Sequence, residues 1–189
     1  MRKLVAAAGL LMLIPFALMA QDVPKAELYT GFSYLRLDKT NQMGWDAAIA
    51  GTINKNLAIV TDASGYYGSD TTTVNGITTK FDRSFHSVLI GPRVSEASGR
   101  FNPFAQALFG WTREYEKFNI SSGTTPILTP NVSTNAFGVS LGGGLDYKLN
   151  TSAALRIVQV DYMLFHANSD KLQGVRLGGG VVFLLGKKK

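Results

Sequence analysis

The sequence predicts an all-β fold, an eight-stranded antiparallel up-and-down barrel that crosses a membrane. Three observations predict it. Eight stretches alternate apolar with small or polar residues at period two, aromatic residues gather at the ends of the apolar sets, and short turns alternate with longer polar loops. A strand puts successive side chains on opposite faces. Segment 136–149 is the clearest case: Phe137, Val139, Leu141, Gly143, Leu145, Tyr147 and Leu149 share one face, while Ala136, Gly138, Ser140, Gly142, Gly144, Asp146 and Lys148 share the other. The second set is too polar for a dry core. The greasy face therefore points to lipid and the small, charged face points inward, the inverse of a water-soluble barrel.

Composition agrees. Charged residues make up 17% of the 189-residue chain, glycine is abundant at 20, and cysteine is absent. Low charge with much Gly, Thr and aromatic residue favours strands over a helical bundle. The lack of cysteine excludes a disulfide framework, a thiolate nucleophile and a thiolate metal site. The net charge of +6 owes part of its size to Arg2, Lys3 and the terminal Lys187–Lys188–Lys189 run. No basic face suited to nucleic acid is legible. Residues 1–20 read as a signal peptide: Arg2 and Lys3 form the positive start, 4–16 the apolar stretch, Pro15 breaks it, and Ala20 offers a small residue for cleavage before Gln21. Residues 21–189 are then a single barrel domain. No other segment has the ~20 apolar residues a spanning helix needs.

In order along the chain, the expected strands are 25–37, 43–53, 57–67, 84–94, 101–112, 135–149, 153–164 and 174–185. Each is close to the ~9–11 residues that a tilted strand needs to cross a bilayer. Asn54-Lys55-Asn56 and Asn150-Thr151-Ser152 read as tight turns, and 96–100, containing Ser98-Gly99, as a modest one. Between them fall loops 68–83 and 113–134, rich in Ser, Thr, Gly and Asn, and two short polar loops, 38–42 and 166–173. In outer-membrane barrels the short turns are periplasmic and the long loops external. The even strand count then leaves both termini in the periplasm of a bacterial outer membrane.

Tyr34, Trp45, Tyr67, Trp111 and Tyr162 fall at the loop ends of their strands on the outer face, and Tyr147 and Phe183 at the turn ends. Amphipathic rings prefer the headgroup region, so these form two expected aromatic belts. The inward set by parity includes Glu27, Asp46, Asp62, Arg93, Gln106, Asp146, Lys148, Gln159, Asp161 and Arg176. Eight strands enclose space for side chains rather than a water channel. Charges there are costly unless paired. The expectation is an internal ion-pair and hydrogen-bond network, with the acids clustered around Arg93 and Arg176. Two positions break the pattern. Arg156 has the opposite parity to Gln159 and Asp161, so either a bulge resets the strand or Arg156 faces outward at the periplasmic interface, where the cost is low. Pro92 lacks a ladder donor and calls for a bulge or a missing hydrogen bond beside it.

Several runs then resemble a known family. Gly142-Gly143-Gly144-Leu145-Asp146-Tyr147-Lys148-Leu149 is similar to the sixth strand of small outer-membrane β-barrel proteins, and Arg156-Ile157-Val158-Gln159-Val160-Asp161-Tyr162 to the strand after it. Tyr29-Thr30-Gly31-Phe32-Ser33-Tyr34-Leu35-Arg36 and Gly91-Pro92-Arg93 resemble the first and fourth strands. The resemblance spans nearly all of 25–186 and points to OmpA-like and OmpX-like eight-stranded barrels. It implies the fold, an outer-membrane location, lipid and the barrel-assembly machinery as partners, and a monomer. It does not settle activity. The family's last strand ends in an aromatic residue; here Phe183 is followed by Leu184-Leu185-Gly186 and the Lys run.

The expected role is structural or surface contact, without catalysis, cofactor or metal. Loops 68–83 and 113–134, with Tyr115 and Phe118, are the places for an external partner. A passive pore is the alternative, because the Gly-rich inner faces around 142–144 and 178–180 could leave space. A lipid-modifying enzyme needs a nucleophile within reach of a base. His86 and Ser87 are adjacent and so face oppositely, His166 and Ser169 have uninformative spacing, and Ser140 has no histidine near it in sequence. A soluble ligand-carrying barrel would place Asp46, Asp62 and Asp146 in water, against the aromatic placement.

Overall fold

The structure, a computed structural model, describes residues 24–37, 40–74, 77–96, 99–122, 125–128, 130–167 and 170–187. The expected signal peptide, 1–20, lies outside the described residues. The strands are β1 (Pro24–Leu37), β2 (Thr40–Thr52), β3 (Leu57–Val74), β4 (Ile77–Ser95), β5 (Phe101–Ser122), β6 (Thr125–Leu128), β7 (Asn131–Lys148), β8 (Ala153–Ala167) and β9 (Asp170–Lys187). All pairings are antiparallel. Strands β1 to β5 follow one another around the ring, β5 pairs with β7, β7 with β8, β8 with β9, and β9 with β1. Closure leaves no sheet edge at the level of the ring. The short β6 pairs only with β5, outside the ring.

Turn chemistry explains the tight ends. The Asn54 Oδ1 accepts from the N–H groups of Asn56 and Leu57 at 3.0 and 2.9 Å, and the Asn150 Oδ1 accepts from those of Ser152 and Ala153, both at 2.8 Å. An Asx side chain mimics a turn of backbone in this way. Gly99, at φ 73°, supplies the left-handed residue of the third turn.

The two faces separate as alternation requires. Phe32, Ile49, Phe109, Leu141 and Leu177 point outward and are exposed, Phe32 by 59%. Asp46, Asp62, Arg93, Asp161 and Arg176 point inward and are buried. Carboxylates and guanidiniums at the centre of a ring whose outside is Phe, Ile and Leu is the arrangement of a barrel solvated by hydrocarbon.

Three features differ from the sequence reading or resolve it. Loops 68–83 and 113–134 are mostly strand. Pairing of β3 with β4 continues from Gly68↔Arg83 to Val74↔Ile77, β4 with β5 reaches Ile77↔Ser122, and β5 with β7 reaches Lys117↔Asn131. Thr71, Thr72, Thr73, Thr78 and Thr79 favour strands. Both faces of this projection meet water, so no apolar alternation marks it. Loops 38–42 and 166–173 likewise shrink, because β2 begins at Thr40 and β9 at Asp170. Second, Arg156 faces inward. The register of β8 shifts between Arg156 and Gln159 against β9, and β7 shifts beside it between Leu145 and Asp146. Ile157 and Val158 are both exposed across this bulge, and the interfacial alternative for Arg156 is not what forms. Third, Pro92 keeps register without a bulge. The β4–β5 ladder skips from Ile90↔Phe109 to Arg93↔Gln106, while the β3 side remains continuous at Ile59↔Pro92. The missing proline N–H accounts for that one-sided gap.

Candidate functional site: a filled lumen beneath a projecting sheet

Strand parity brings Glu27, Asp46, Asp62, Arg93, Gln106, Asp146, Gln159, Asp161 and Arg176 to the inside. Arg176, on β9, donates through Nε to Asp161 Oδ2 at 2.8 Å and through Nη1 to Asp62 Oδ1 at 3.0 Å. Its Nη1 also lies 3.4 Å from Asp46 Oδ2. The Arg93 Nη1 donates to Glu27 at 3.2 Å, and its Nε and Nη2 share Gln106 Oε1. The Gln106 and Gln159 amides both donate to Asp161, at 3.2 and 2.6 Å. Asp161 thus joins the two arginine clusters into one connected network.

Arg156 is the member that simple parity left open, and it is central. Its Nε donates to Asp146 at 2.8 Å and its Nη1 to Gln159 at 2.7 Å. The guanidinium stacks over Tyr29 and Phe104, 4.2 and 4.3 Å from the ring centroids. Asp146 therefore pairs with Arg156 rather than with Arg93 or Arg176. The sequence signal was the parity conflict itself, together with the adjacent apolar pair Ile157-Val158.

Glycines make the room. A Cβ at Gly144 would sit 2.7 Å from the Phe104 ring, and one at Gly142 would overlap the Asp161 carboxylate. The space beside these glycines is therefore occupied by neighbouring side chains, not left as a bore. Above the polar network, toward the projecting sheet, Leu35, Leu37, Tyr66, Phe85, Leu108 and Phe165 are buried and point inward, with Phe85 and Phe165 in edge contact at 4.6 Å. This apolar layer was not expected from the polar-inside rule. It is stacked on the polar network.

The wide mouth carries its own cluster. The Arg83 Nη2 donates to Glu116 at 2.6 Å, its Nε lies 3.0 Å from Glu114, and its Nη1 donates to Thr40 at 3.2 Å. On the outside, Trp45, Tyr67, Trp111 and Tyr162 are exposed at the loop ends and Phe183 at the turn end. Tyr34 and Tyr147 are half-exposed. Tyr162 donates to Gln173 at 2.7 Å, Tyr34 donates to Asn41 at 2.8 Å, and Tyr147 accepts from Arg100 at 3.3 Å. Each polar tip thus finds a partner while its ring stays on the outer surface.

The nucleophile candidates do not converge. His86 lies on the outer face between Tyr67 and Tyr115, with ring centroids 5.6 and 6.3 Å away. Ser87 points inward and hydrogen-bonds Ser64 at 2.7 Å. The Ser140 hydroxyl is buried with no partner, and His166 is exposed on the outer side of β8. Ser169 lies outside the described residues.

No protein-family model matches this chain, and no curated protein matches it in sequence. Its fold is nonetheless that of small outer-membrane β-barrels. A crystal structure of Neisserial surface protein A superimposes with a TM-score of 0.63 at 11% identity, covering 85% of this chain and 97% of that one. Ail, the attachment invasion locus protein of Yersinia pestis, solved in complex with the heparin analogue sucrose octasulfate, gives 0.60 at 16% identity, covering 85% of this chain and 99% of that one.

Proposed function

We propose that this chain is a monomeric, non-catalytic outer-membrane barrel whose lumen is a structural plug and whose projecting β3–β4–β5–β7 sheet is the surface on which its role depends. Both termini are periplasmic, the tight turns face the periplasm, and the projecting sheet faces outward from the cell. Tyr34, Trp45, Tyr67, Trp111 and Tyr162 mark the outer interface, and Tyr147 and Phe183 the inner one. Outer-membrane lipid surrounds the ring, and the barrel-assembly machinery receives the last strand near Phe183. Any extracellular partner meets the projecting sheet.

The observation that carries this reading is the filled interior. A continuous network from Glu27 through Arg93, Gln106 and Asp161 to Arg176 occupies the middle, and an apolar layer closes the outer half. With solute excluded from the inside, interaction is left to the rigidly paired outer strands, the usual location of function on such a scaffold. Chemistry is left without a base-activated nucleophile among the described residues.

Because the chain has no cysteine, single introduced thiols report topology without background. Thr72→Cys, on the projecting hairpin, is expected to react with a membrane-impermeant maleimide on intact cells. Thr151→Cys, in a tight turn, is expected to react only after the outer membrane is permeabilised. The reverse pattern, or equal labelling of both, would overturn the orientation and the location together.

A further inference from the structure

The outer face of the projecting sheet is built in register rows. Tyr67, Ser84, Tyr115 and Ser133 stand opposite one another on β3, β4, β5 and β7. Residues opposite across a sheet share a face, and this row shares the outward face with Trp111. It stands about 13 Å along β5 from that belt residue. The next row outward is Ser69, Asp82, Lys117 and Asn131. A cleft of about 790 Å³ opens over these two rows, bordered also by Arg83 and Glu116. Its size is that of a small-ligand site.

The charges of the cleft cancel. Arg83 and Lys117 stand against Asp82 and Glu116. Arg83 Nη2 donates to Glu116 at 2.6 Å, and Asp82 accepts from Ser69 at 2.7 Å with Lys80 3.1 Å away. Balanced charges that are already engaged favour an ion of neither sign. What the cleft leaves unspent is neutral: the side chains of Tyr67, Ser84, Tyr115, Ser133 and Asn131 make no hydrogen bond among the described residues. Hydroxyl and amide groups both donate and accept, as a ligand covered in hydroxyls requires. The floor is the middle of a sheet, with β4 paired to β3 and β5, and β5 to β4 and β7. Its backbone groups are consumed in the ladders, so a peptide adding as a strand finds no edge there.

The two tyrosines are held apart in advance. The His86 ring sits on their membrane side, 5.6 Å from Tyr67 and 6.3 Å from Tyr115, edge-on to both. The Arg113 guanidinium backs Tyr115 at 4.7 Å. Two strand spacings, roughly 10 Å, separate the tyrosine backbones, with the short Ser84 between them. The result is a slot floored by a hydroxyl and walled by aromatic rings, about one six-membered sugar ring wide.

We infer that this cleft binds an uncharged oligosaccharide, with one sugar ring over Ser84, its C–H face against a tyrosine, and the next ring reaching Ser69, Asp82 and Asn131. The inference rests on the surface-contact reading above and names the ligand class of that surface. The face of an aromatic ring is negative and the C–H bonds of a sugar are weakly positive, so stacking adds to the burial of area. An apolar ligand would strip water from Ser69, Ser84 and Ser133 without replacing its hydrogen bonds.

The test applies protein labelled at Thr151→Cys, in the distant tight turn, to an array of neutral and anionic oligosaccharides. The protein is folded in a detergent without a sugar headgroup, and its gel mobility must shift on boiling. Retention by at least one uncharged oligosaccharide is expected, with displacement by the same sugar free in solution. Tyr67→Ala and Tyr115→Ala should each weaken it roughly tenfold, and Ser84→Gln, which fills the slot, should abolish it. Tyr34→Ala, on β1 across the ring, should leave it unchanged. Retention by no uncharged sugar would overturn the inference. So would retention by anionic sugars alone, or binding that survives Ser84→Gln and both tyrosine variants. The same sugar carried on a lipid in nanodiscs distinguishes the source: equal affinity means that a free glycan suffices, and a preference beyond tenfold assigns the cleft to a leaflet glycolipid. Because the array needs only folded protein, sugar binding together with a reversed thiol-labelling pattern would keep the cleft and sink the outward orientation.

Discussion

Replacing Arg176 with methionine is expected to destabilise the barrel by about 3–5 kcal/mol, because it removes the sole guanidinium shared by buried carboxylates. Asp46, Asp62 and Asp161 all lie within 3.4 Å of Arg176. Asp46 is the most dependent of them, since among the described residues Arg176 is the cation within reach of its carboxylate. Asp161 keeps the Gln106 and Gln159 amides. The loss should therefore be largely recovered by adding Asp46→Asn and Asp62→Asn to Arg176→Met, as expected when a buried ionic cluster is replaced whole rather than broken. Urea titration in lipid vesicles, followed by tryptophan emission and gel mobility, measures both variants. A stable single variant would mean that the lumen is wet enough to solvate the three carboxylates.

Leu141→Arg is expected to cost about 2–4 kcal/mol and to block assembly into bilayers, as a charge on the lipid face at mid-depth does. Leu141 is 48% exposed, lies midway along β7, and is flanked on the same face by Val139 and Gly143. Its neighbour Ser140 points into the closed interior, at 0% exposure. Ser140→Arg should fail for a different reason, because Leu89, Leu108 and Met163 already fill the inner layers around it and overpacking costs about 1–3 kcal/mol. The two are separable by solvent. In short-chain detergent, which wraps a charge more readily, Leu141→Arg should refold and Ser140→Arg should not. Rescue of Ser140→Arg rather than Leu141→Arg by detergent would mean the faces are reversed.

The contrast between 140 and 141 shows why so much of the ring was legible. Where one face meets hydrocarbon and the other a crowded interior, each residue is constrained by its parity, and the pattern writes itself into the sequence. Arg156 escaped because a bulge adds one residue, placing Ile157 and Val158 on the same side and inverting every parity before them in β8. The projecting sheet escaped for another reason. From Gly68 to Arg83 both faces touch water, so nothing selects apolar residues at period two, and a paired hairpin reads like a loop. The apolar layer of Leu35, Leu37, Phe85 and Phe165 was hidden because inward greasy residues resemble outward ones unless parity is followed through the whole strand. Partner choice within the network depends on barrel stagger: Asp62 and Arg176 are 114 positions apart. Spacing along the chain carries no information about such a pair. Apart from Arg36, in an expected strand, the outward cations of the projecting end lay in segments read as loops, where face could not be assigned.

Planar-bilayer conductance of residues 21–189, refolded and checked by the heat-dependent gel shift, tests the filled lumen most directly. The network around Asp161 and the apolar layer above it predict a silent membrane across the physiological voltage range. Stable, reproducible channel steps from correctly folded protein would contradict the account, and would make Arg93, Asp146 and Arg176 the lining of a pore.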